Sequence, residues 1–535
     1  MGIGVSLSKI LNKSKERLSI LNYKNRFIPN IIYSGIGQAV QLIVGIFLVA
    51  YLVRKLGTER WGLVVLAMST ASILSLFQMG ASTGIAKKLN QYLTICEEKE
   101  FTRYYTAGVV ICLLLSLIMM ICLIFFLTLG WQWMNISDNY YNEGRAVLAA
   151  IGVASILATN ALAPIACLQA MHRIDIYAKF DMASVILRIT LTVLMFELVS
   201  PQAYIYAFVL MICNLFVLVG TWWWVHINQP KARVRFSVFD TQVFNSMIRF
   251  NMMTMFNTLN YTLFMQGPAF LLQRYAGLSA AGLYGIGLQI NTLLRSFFTI
   301  GANTLSPVVI SLESSGNKDK MKVLFCMWTK FYSSVALMMW AGLVLLRRPI
   351  LHIWVTQSGE DLLNSIPWIA GATIIGIMAM PSAIYMVALE RLRLSAIAGL
   401  LLFGAMVGTM VFRLRFGESN KLLIDTCIIL ALYLGCYQML RVWIISRIIC
   451  LRCLEFWCGI VLRSIIPVLI ILPALIAIIR IFPPSNLHGL LIVSGGTLLV
   501  FATISYVTLF GREERGMILD LYHSIRYSRQ VTVEV

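Results

Sequence analysis

The stretch AGVVICLLLSLIMMICLIFFLTL, residues 107–129, holds no charged side chain and a single glycine. A helix crosses a hydrocarbon core about 30 Å thick with roughly 20 predominantly apolar residues, and this stretch supplies them. It lacks the apolar and polar alternation of a membrane β-strand. In lipid every backbone amide must find its partner inside the segment, so the stretch reads as a transmembrane α-helix. Thirteen further runs of similar character flank it. Six are 30–53, 63–85, 147–170, 179–198, 203–225 and 251–272; the others are 282–305, 324–346, 366–387, 394–412, 422–444, 460–479 and 487–510. The expected fold is therefore all-α, a polytopic membrane protein of about fourteen transmembrane helices.

Composition agrees with that reading. The chain is 59% hydrophobic and only 12% charged over 535 residues, with a mean hydropathy of +0.81. A soluble protein carries about 25% charged residues, so lipid is the solvent for most of this surface. A net charge of +20 suggests nucleic acid until the basic residues are placed on the topology. With the amino terminus assigned to the cytoplasm, Lys and Arg are in excess in the inside segments, as the positive-inside rule requires. Both termini are then cytoplasmic, and no nucleic-acid partner is needed. Of the eleven cysteines, Cys112, Cys122, Cys167, Cys213, Cys427 and Cys436 fall inside apolar runs as small packing residues. The cluster Cys450, Cys453 and Cys458 lacks a fourth ligand, so reduced thiols are expected and no metal.

An internal repeat appears at an offset of 220. Leu52-Val53-Arg54-Lys55-Leu56-Gly57, then Gly62-Leu63, recurs as Leu272-Gln273-Arg274-Tyr275-Ala276-Gly277, then Gly282-Leu283. Six helices separate the copies, an even number, so the repeat is parallel and implies two lobes related by an axis along the membrane normal. The expected division is a basic amino-terminal segment (1–29), an N-lobe of six helices (30–227), an inter-lobe loop (228–243), a C-lobe of six helices (244–450), an appended helix pair (451–510) and a cytoplasmic tail (511–535).

These residues resemble the oligosaccharide flippases, for O-antigen or capsule repeat units, of the multidrug/oligosaccharidyl-lipid/polysaccharide exporter superfamily. The likeness rests on Tyr51 to Leu63, on Leu76-Phe77-Gln78-Met79-Gly80, on Cys167-Leu168-Gln169-Ala170-Met171-His172-Arg173 and on Gly277 to Gln289. It implies a two-lobed flippase of the bacterial inner membrane for undecaprenyl-pyrophosphate-linked glycans, with a wet, cation-lined cavity. Other polysaccharide assembly proteins are implied as partners besides the membrane lipids.

A charge at mid-membrane is expensive, so intramembrane ionisable residues are functional candidates. Arg188 and Arg295 both lie deep within their runs, one in each expected lobe. Guanidinium binds phosphate oxygens bidentately and does not deprotonate, which suits two cavity cations holding a pyrophosphate. The competing reading neutralises each arginine within its own lobe, by backbone carbonyls or by Glu197. Arg54 and Arg274 occupy equivalent places in the repeat and are candidate contacts at the outer mouth, or complements to helix dipoles. Gln289, Asn291 and Asn303 suit either sugar hydroxyls or interhelical hydrogen bonds.

Glu197 and Asp425 are the acids weighed as membrane-embedded, both near the outer face. A drug antiporter needs a titratable carboxylate in its pathway, and the first run, 30–53, has none. The drug-exporting branch of the superfamily commonly carries an aspartate there, so its lack favours an anionic substrate. Coupling to a proton or sodium gradient stays open, and no cofactor is expected. A cation-coupled multidrug antiporter is the alternative reading, and a membrane-embedded glycan polymerase or ligase is the second. Against the enzyme, the chain has no nucleotide-binding loop, and its longest outer loop, 130–146, is short.

Overall fold

The computed structural model describes residues 2–78, 81–95, 98–314, 318–355, 359–389, 392–417, 421–449, 451, 462–481 and 487–509, with most side chains from residue 35 onward. The described elements are helical throughout. A first helix, α1 (2–56), meets α2 (58–78 with Ala81–Ile95) at Gly57; α2 tightens to a 3-10 turn at Ser75–Gln78 before its second segment. Then come α3 (Glu98–Phe125, prolonged to Trp133), α4 (Asp138–Ala170), α5 (Ile174–Leu198) and α6 (Ala203–Asn228). Two more, α7 (241–276) and α8 (278–314), meet at Gly277. The rest are α9 (Lys318–Trp354), α10 (Glu360–Met378 with Met380–Ala388), α11 (Leu392–Phe416), α12 (Leu422–Ile448), α13 (Arg463–Ile481) and α14 (Leu487–Leu509). Each of the fourteen expected runs is thus one helix. The basic amino-terminal segment is helical as well, since α1 begins at Gly2. Cys450, Cys453 and Cys458 lie outside the described residues.

Among the described residues ten stretches are long and apolar enough to cross a membrane, one of which (35–78) holds the end of α1 and the start of α2. The exceptions are informative. Lys179, Asp181, Arg188 and Glu197 load α5 with charge, and α7 and α8 are diluted by Asn and Gln. Arg188, Arg274, Gln289, Asn291, Arg295 and Asn303 lie on these three helices.

Contacts divide the chain into two compact units, Met1–Gly282 and Leu283–Val535. In the first, α1 and α5 run parallel. Gly37 lies beside Met182 at one end, and the Tyr51 ring stacks on Phe196 at the other, 6.0 Å between centroids. Three contacts bind α7 to the helices before it: Ser69 donates to Gln266 (2.8 Å), Asn251 donates to the Phe77 carbonyl (2.9 Å), and Phe126 stacks on Phe270. The basic loop after α6 folds back on the start of α3. Arg103 pairs with Glu100 and Asp240, Lys231 pairs with Glu98, Thr102 donates to the Lys231 carbonyl, and the Arg235 amide donates to Thr106. The motif Cys167 to Arg173 closes the α4–α5 corner: His172 takes a left-handed φ of 55° and Arg173 pairs with Asp175.

In the second unit, α10 packs between α9 and α12. It breaks at Ala379, where Pro381 enters the first turn of its second segment. Hydroxyls of Tyr332 and Tyr385 cap carbonyls of Phe298 and Met321 at 2.8 and 2.7 Å. The appended pair α13 and α14 seats Val468, Ile471, Leu475 and Phe501 against Met338 and Ala341 of α9.

Both halves of the sequence repeat make the same bend. Gly57 (φ 77°, ψ 171°) and Gly277 (φ 86°, ψ 176°) sit where only glycine is comfortable. Immediately beyond the bends, the two copies touch: a Cβ at Gly62 would overlap the Leu278 carbonyl, and a Cβ at Gly282 would overlap the Thr58 carbonyl. Thr58 and Ser279 hydroxyls complete this crossing at 3.1 Å. Gly57→Ala and Gly277→Ala are each expected to destabilise the fold by about 1–3 kcal/mol, read as a lower thermal midpoint of the detergent-solubilised protein. Gly45→Ala, within a regular helix and facing open space, is expected to leave the midpoint unchanged.

Candidate functional site

In the first unit the site is built on α5. Helical geometry places residues seven apart on one face, so Asp181 and Arg188 share a stripe. Asp181 lies about 10 Å from the start of α5 at 1.5 Å per residue, well inside the span. The side-chain amide of Gln41 on α1 donates to it. Arg188, half-buried, lies in electrostatic reach of Asp181 and of Tyr206 and Cys213 on α6. Its Nε is buried without a hydrogen-bond partner among the described residues. The guanidinium therefore sits between α5 and α6, with one carboxylate along its own helix to offset part of its charge.

Glu197 is engaged elsewhere. Lys55 pairs with it at 2.8 Å and the Tyr51 hydroxyl donates to it at 3.1 Å, tying the carboxy-terminal ends of α1 and α5 together. Arg54 beside this pair is exposed. Its counterpart Arg274 is half-buried and stacks over the Trp133 ring at 5.9 Å. Asp425, the other acid weighed from the sequence, pairs with Arg413 at 2.8 Å at the start of α12.

In the second unit Arg295 is half-buried on α8, one turn beyond Asn291, which is buried at 6% exposure; Gln289 is half-buried. Asn303 falls within α8, but its side chain lies outside those described. A second arginine, Arg441 on α12, at 5% exposure, lies within electrostatic reach of Arg295. Arg188 belongs to the first unit and Arg295 to the second, and each has acquired a neighbour that sequence reading passed over.

Asp181 was missed because it stands two residues into the run 179–198 and reads as a helix edge; α5 in fact begins at Ile174. Arg441 was missed because it sits near the end of the run 422–444 and reads as a cytoplasmic flank. The helix continues to Ile448, which places Arg441 two turns inside. The signal was present in both cases: Ile174-Asp175-Ile176-Tyr177 and Ile444-Ile445-Ser446-Arg447-Ile448 extend the helical pattern without a breaker.

Residues 27–313 match the polysaccharide biosynthesis protein family. The chain belongs to that family. Among curated proteins no sequence matches it, so the remaining comparisons are of fold. A solved structure of the lipid II flippase MurJ, in an inward closed conformation, superposes with a TM-score of 0.66 at 14% identity, covering 90% of this chain and 98% of that one. An inward-facing multidrug resistance MATE family transporter of the MOP superfamily gives a TM-score of 0.63 at 12% identity, covering 78% and 98%. A third, a MOP superfamily transporter from Pyrococcus furiosus described as having a binding pocket of reversed polarity, gives 0.55 at 13% identity, covering 78% and 94%. This member of the polysaccharide biosynthesis family thus carries the MOP transporter fold and is a multi-pass membrane protein.

Proposed function

We propose that the protein is a flippase that carries an undecaprenyl-pyrophosphate-linked oligosaccharide from the inner to the outer leaflet of a bacterial plasma membrane by alternating access. Membership of the polysaccharide biosynthesis family, on a fold shared with a lipid II flippase, carries this reading. The intramembrane charges support it. Arg188 and Arg295 are fixed cations within helical spans, and guanidinium suits a pyrophosphate headgroup. The isoprenoid tail stays in lipid while the headgroup passes through the protein. Glu197 and Asp425 both face basic partners near helix ends, which leaves them poorly placed to bind an organic cation.

The test is transport by purified protein in vesicles. With a fluorescent lipid-linked oligosaccharide in the inner leaflet, the label is expected to become accessible to a membrane-impermeant glycosidase outside. Organic cation flux without that exposure would replace the reading with a multidrug antiporter. Asp181, a carboxylate within α5 beside Gln41, is the observation that favours such an antiporter. Lengthening of the glycan by the purified protein would instead make it a polymerase.

A further inference from the structure

The connector 229–240 between α6 and α7 is held in place with one face turned in and the other turned out. Its inner face is apolar: Ala232 is buried, and Val234 packs into the same cluster as Phe101 and Tyr105 of α3. Its backbone is pinned as well. Thr102 donates to the Lys231 carbonyl at 3.0 Å and the Arg235 amide donates to Thr106 at 3.1 Å. A 3-10 turn at Phe236–Val238 then leads to Asp240, whose carboxylate accepts from the Gln242 amide at the start of α7.

Alternation along extended backbone sends Arg233 and Arg235 the other way; Arg235 has φ −131° and ψ 101°, and both residues are exposed. An exposed arginine is no signal by itself, because membrane topology accounts for basic loops. What sets these two apart is that the neighbouring acids are already engaged. Glu98 pairs with Lys231 at 2.6 Å, and Glu100 and Asp240 both pair with Arg103. No described carboxylate pairs with Arg233 or Arg235. Two guanidinium groups two residues apart on a pinned backbone keep their charge for a partner outside the chain.

The same face carries a large apolar side chain, Phe236, at 68% exposure. The depth of this face follows from α6. Its final turns hold Trp223 at 62% exposure and Ile227 at 57%, and tryptophan is the residue of the membrane–water boundary. Asn228, where α6 ends, lies only about 8 Å farther along the axis. The connector therefore leaves the helix at headgroup level. Paired cations beside a phenyl ring at that level match a phospholipid, whose phosphate lies just above its first acyl carbons.

We propose that Arg233, Arg235 and Phe236 form a docking surface for an anionic phospholipid of the surrounding leaflet. The two arginines take its phosphate, which accepts from several guanidinium N–H groups at once, and the phenyl ring enters the upper acyl region. This surface lies outside the transport reading and does not depend on what the protein carries. Because the connector is tied to the start of α3 and runs into the start of α7, a lipid seated on it braces both helix starts at one depth.

Native mass spectrometry of the full-length protein, titrated in micelles with phosphatidylglycerol or with phosphatidylcholine, reads lipid retention directly. Arg233→Gln and Arg235→Gln are each expected to weaken retention of the most strongly held phosphatidylglycerol roughly 5-fold, and the double variant roughly 25-fold, with phosphatidylcholine unaffected. Both positions are exposed, so the variants are expected to melt as wild type. Phe236→Ser is expected to weaken both lipids alike. Arg145→Gln, at an exposed arginine near the start of α4, lowers the net charge by the same amount and is expected to change nothing. In nanodiscs, trypsin is expected to cut the wild-type chain after Arg233 and Arg235 about 5-fold more slowly in phosphatidylglycerol than in phosphatidylcholine. Equal cleavage rates in the two lipids overturn the proposal, as does a loss of retention in Arg145→Gln as large as in Arg233→Gln. It is overturned as well if the double variant keeps phosphatidylglycerol but loses undecaprenyl pyrophosphate, since the arginines then serve the transported headgroup.

Discussion

Joining cysteines placed at Thr58 and Ser279 by a disulfide is expected to abolish glycan export, and reduction to restore it. The two hydroxyls are 3.1 Å apart, which places their α-carbons close to the range a disulfide spans. They belong to the crossing where the two copies of the repeat meet closely, since a Cβ at Gly62 or Gly282 has no room. On the proposed alternating-access cycle this crossing has to part for cargo to leave, so a covalent tie stops every turnover. Thr58→Cys and Ser279→Cys alone lose one weak hydrogen bond, worth about 1 kcal/mol, and are expected to export nearly as wild type. Free thiol counts before and after oxidation establish that the tie has formed. Export at the wild-type rate by the tied protein would show that the crossing is a static brace. Gly282→Leu probes the same place sterically: overpacking costs about 1–3 kcal/mol, enough to lower the thermal midpoint measurably.

Arg295→Ala is expected to bring surface glycan down to background with expression and membrane insertion intact. Truncating one partner of a buried, hydrogen-bonded charge pair costs about 2–5 kcal/mol, on the order of 100-fold or more in occupancy at fixed substrate. Lectin binding to intact cells, with protein quantified in the membrane fraction, measures the outcome. Arg295→Lys keeps the charge but loses the planar fork, and a partial loss is expected. The comparison with Arg188→Ala is instructive. Asp181 already offsets part of the Arg188 charge, so less of that cation's field is available to a substrate and its removal is expected to cost less. Glycan export unimpaired by Arg295→Ala would remove this residue from the mechanism.

Much of this architecture is legible from residues alone. Lipid demands that helices carry their own hydrogen bonds, so runs such as 107–129 and 203–225 announce themselves one by one. The repeat at 52–57 and 272–277 located both bends, because a left-handed corner leaves glycine as its mark. Charges near run ends were harder. Asp181 and Arg441 each sit where hydropathy alone sees a border, and only the actual extent of α5 and α12 shows them to be interior. Contacts between distant parts of the chain carry no periodic signal at all. Gln41 with Asp181, Arg295 with Arg441, and the folding of 229–240 onto α3 depend on which helices become neighbours. Sequence singled out Arg295 as a cation worth attention, and the company it keeps came from packing.

The ion pairs that fasten the 229–240 connection have a practical bearing on how the protein is handled. Arg103, Lys231, Glu98 and Glu100 all retain solvent contact, and pairs of this kind fade as the Debye length shrinks to about 3 Å in molar salt. Washing membranes with concentrated sodium chloride, useful for stripping peripheral contaminants, therefore also unfastens a strongly basic connector between helices. Trypsin cuts after Lys and Arg, and Lys231, Arg233 and Arg235 all lie in that connector. Low ionic strength is the gentler regime for keeping the polypeptide in one piece.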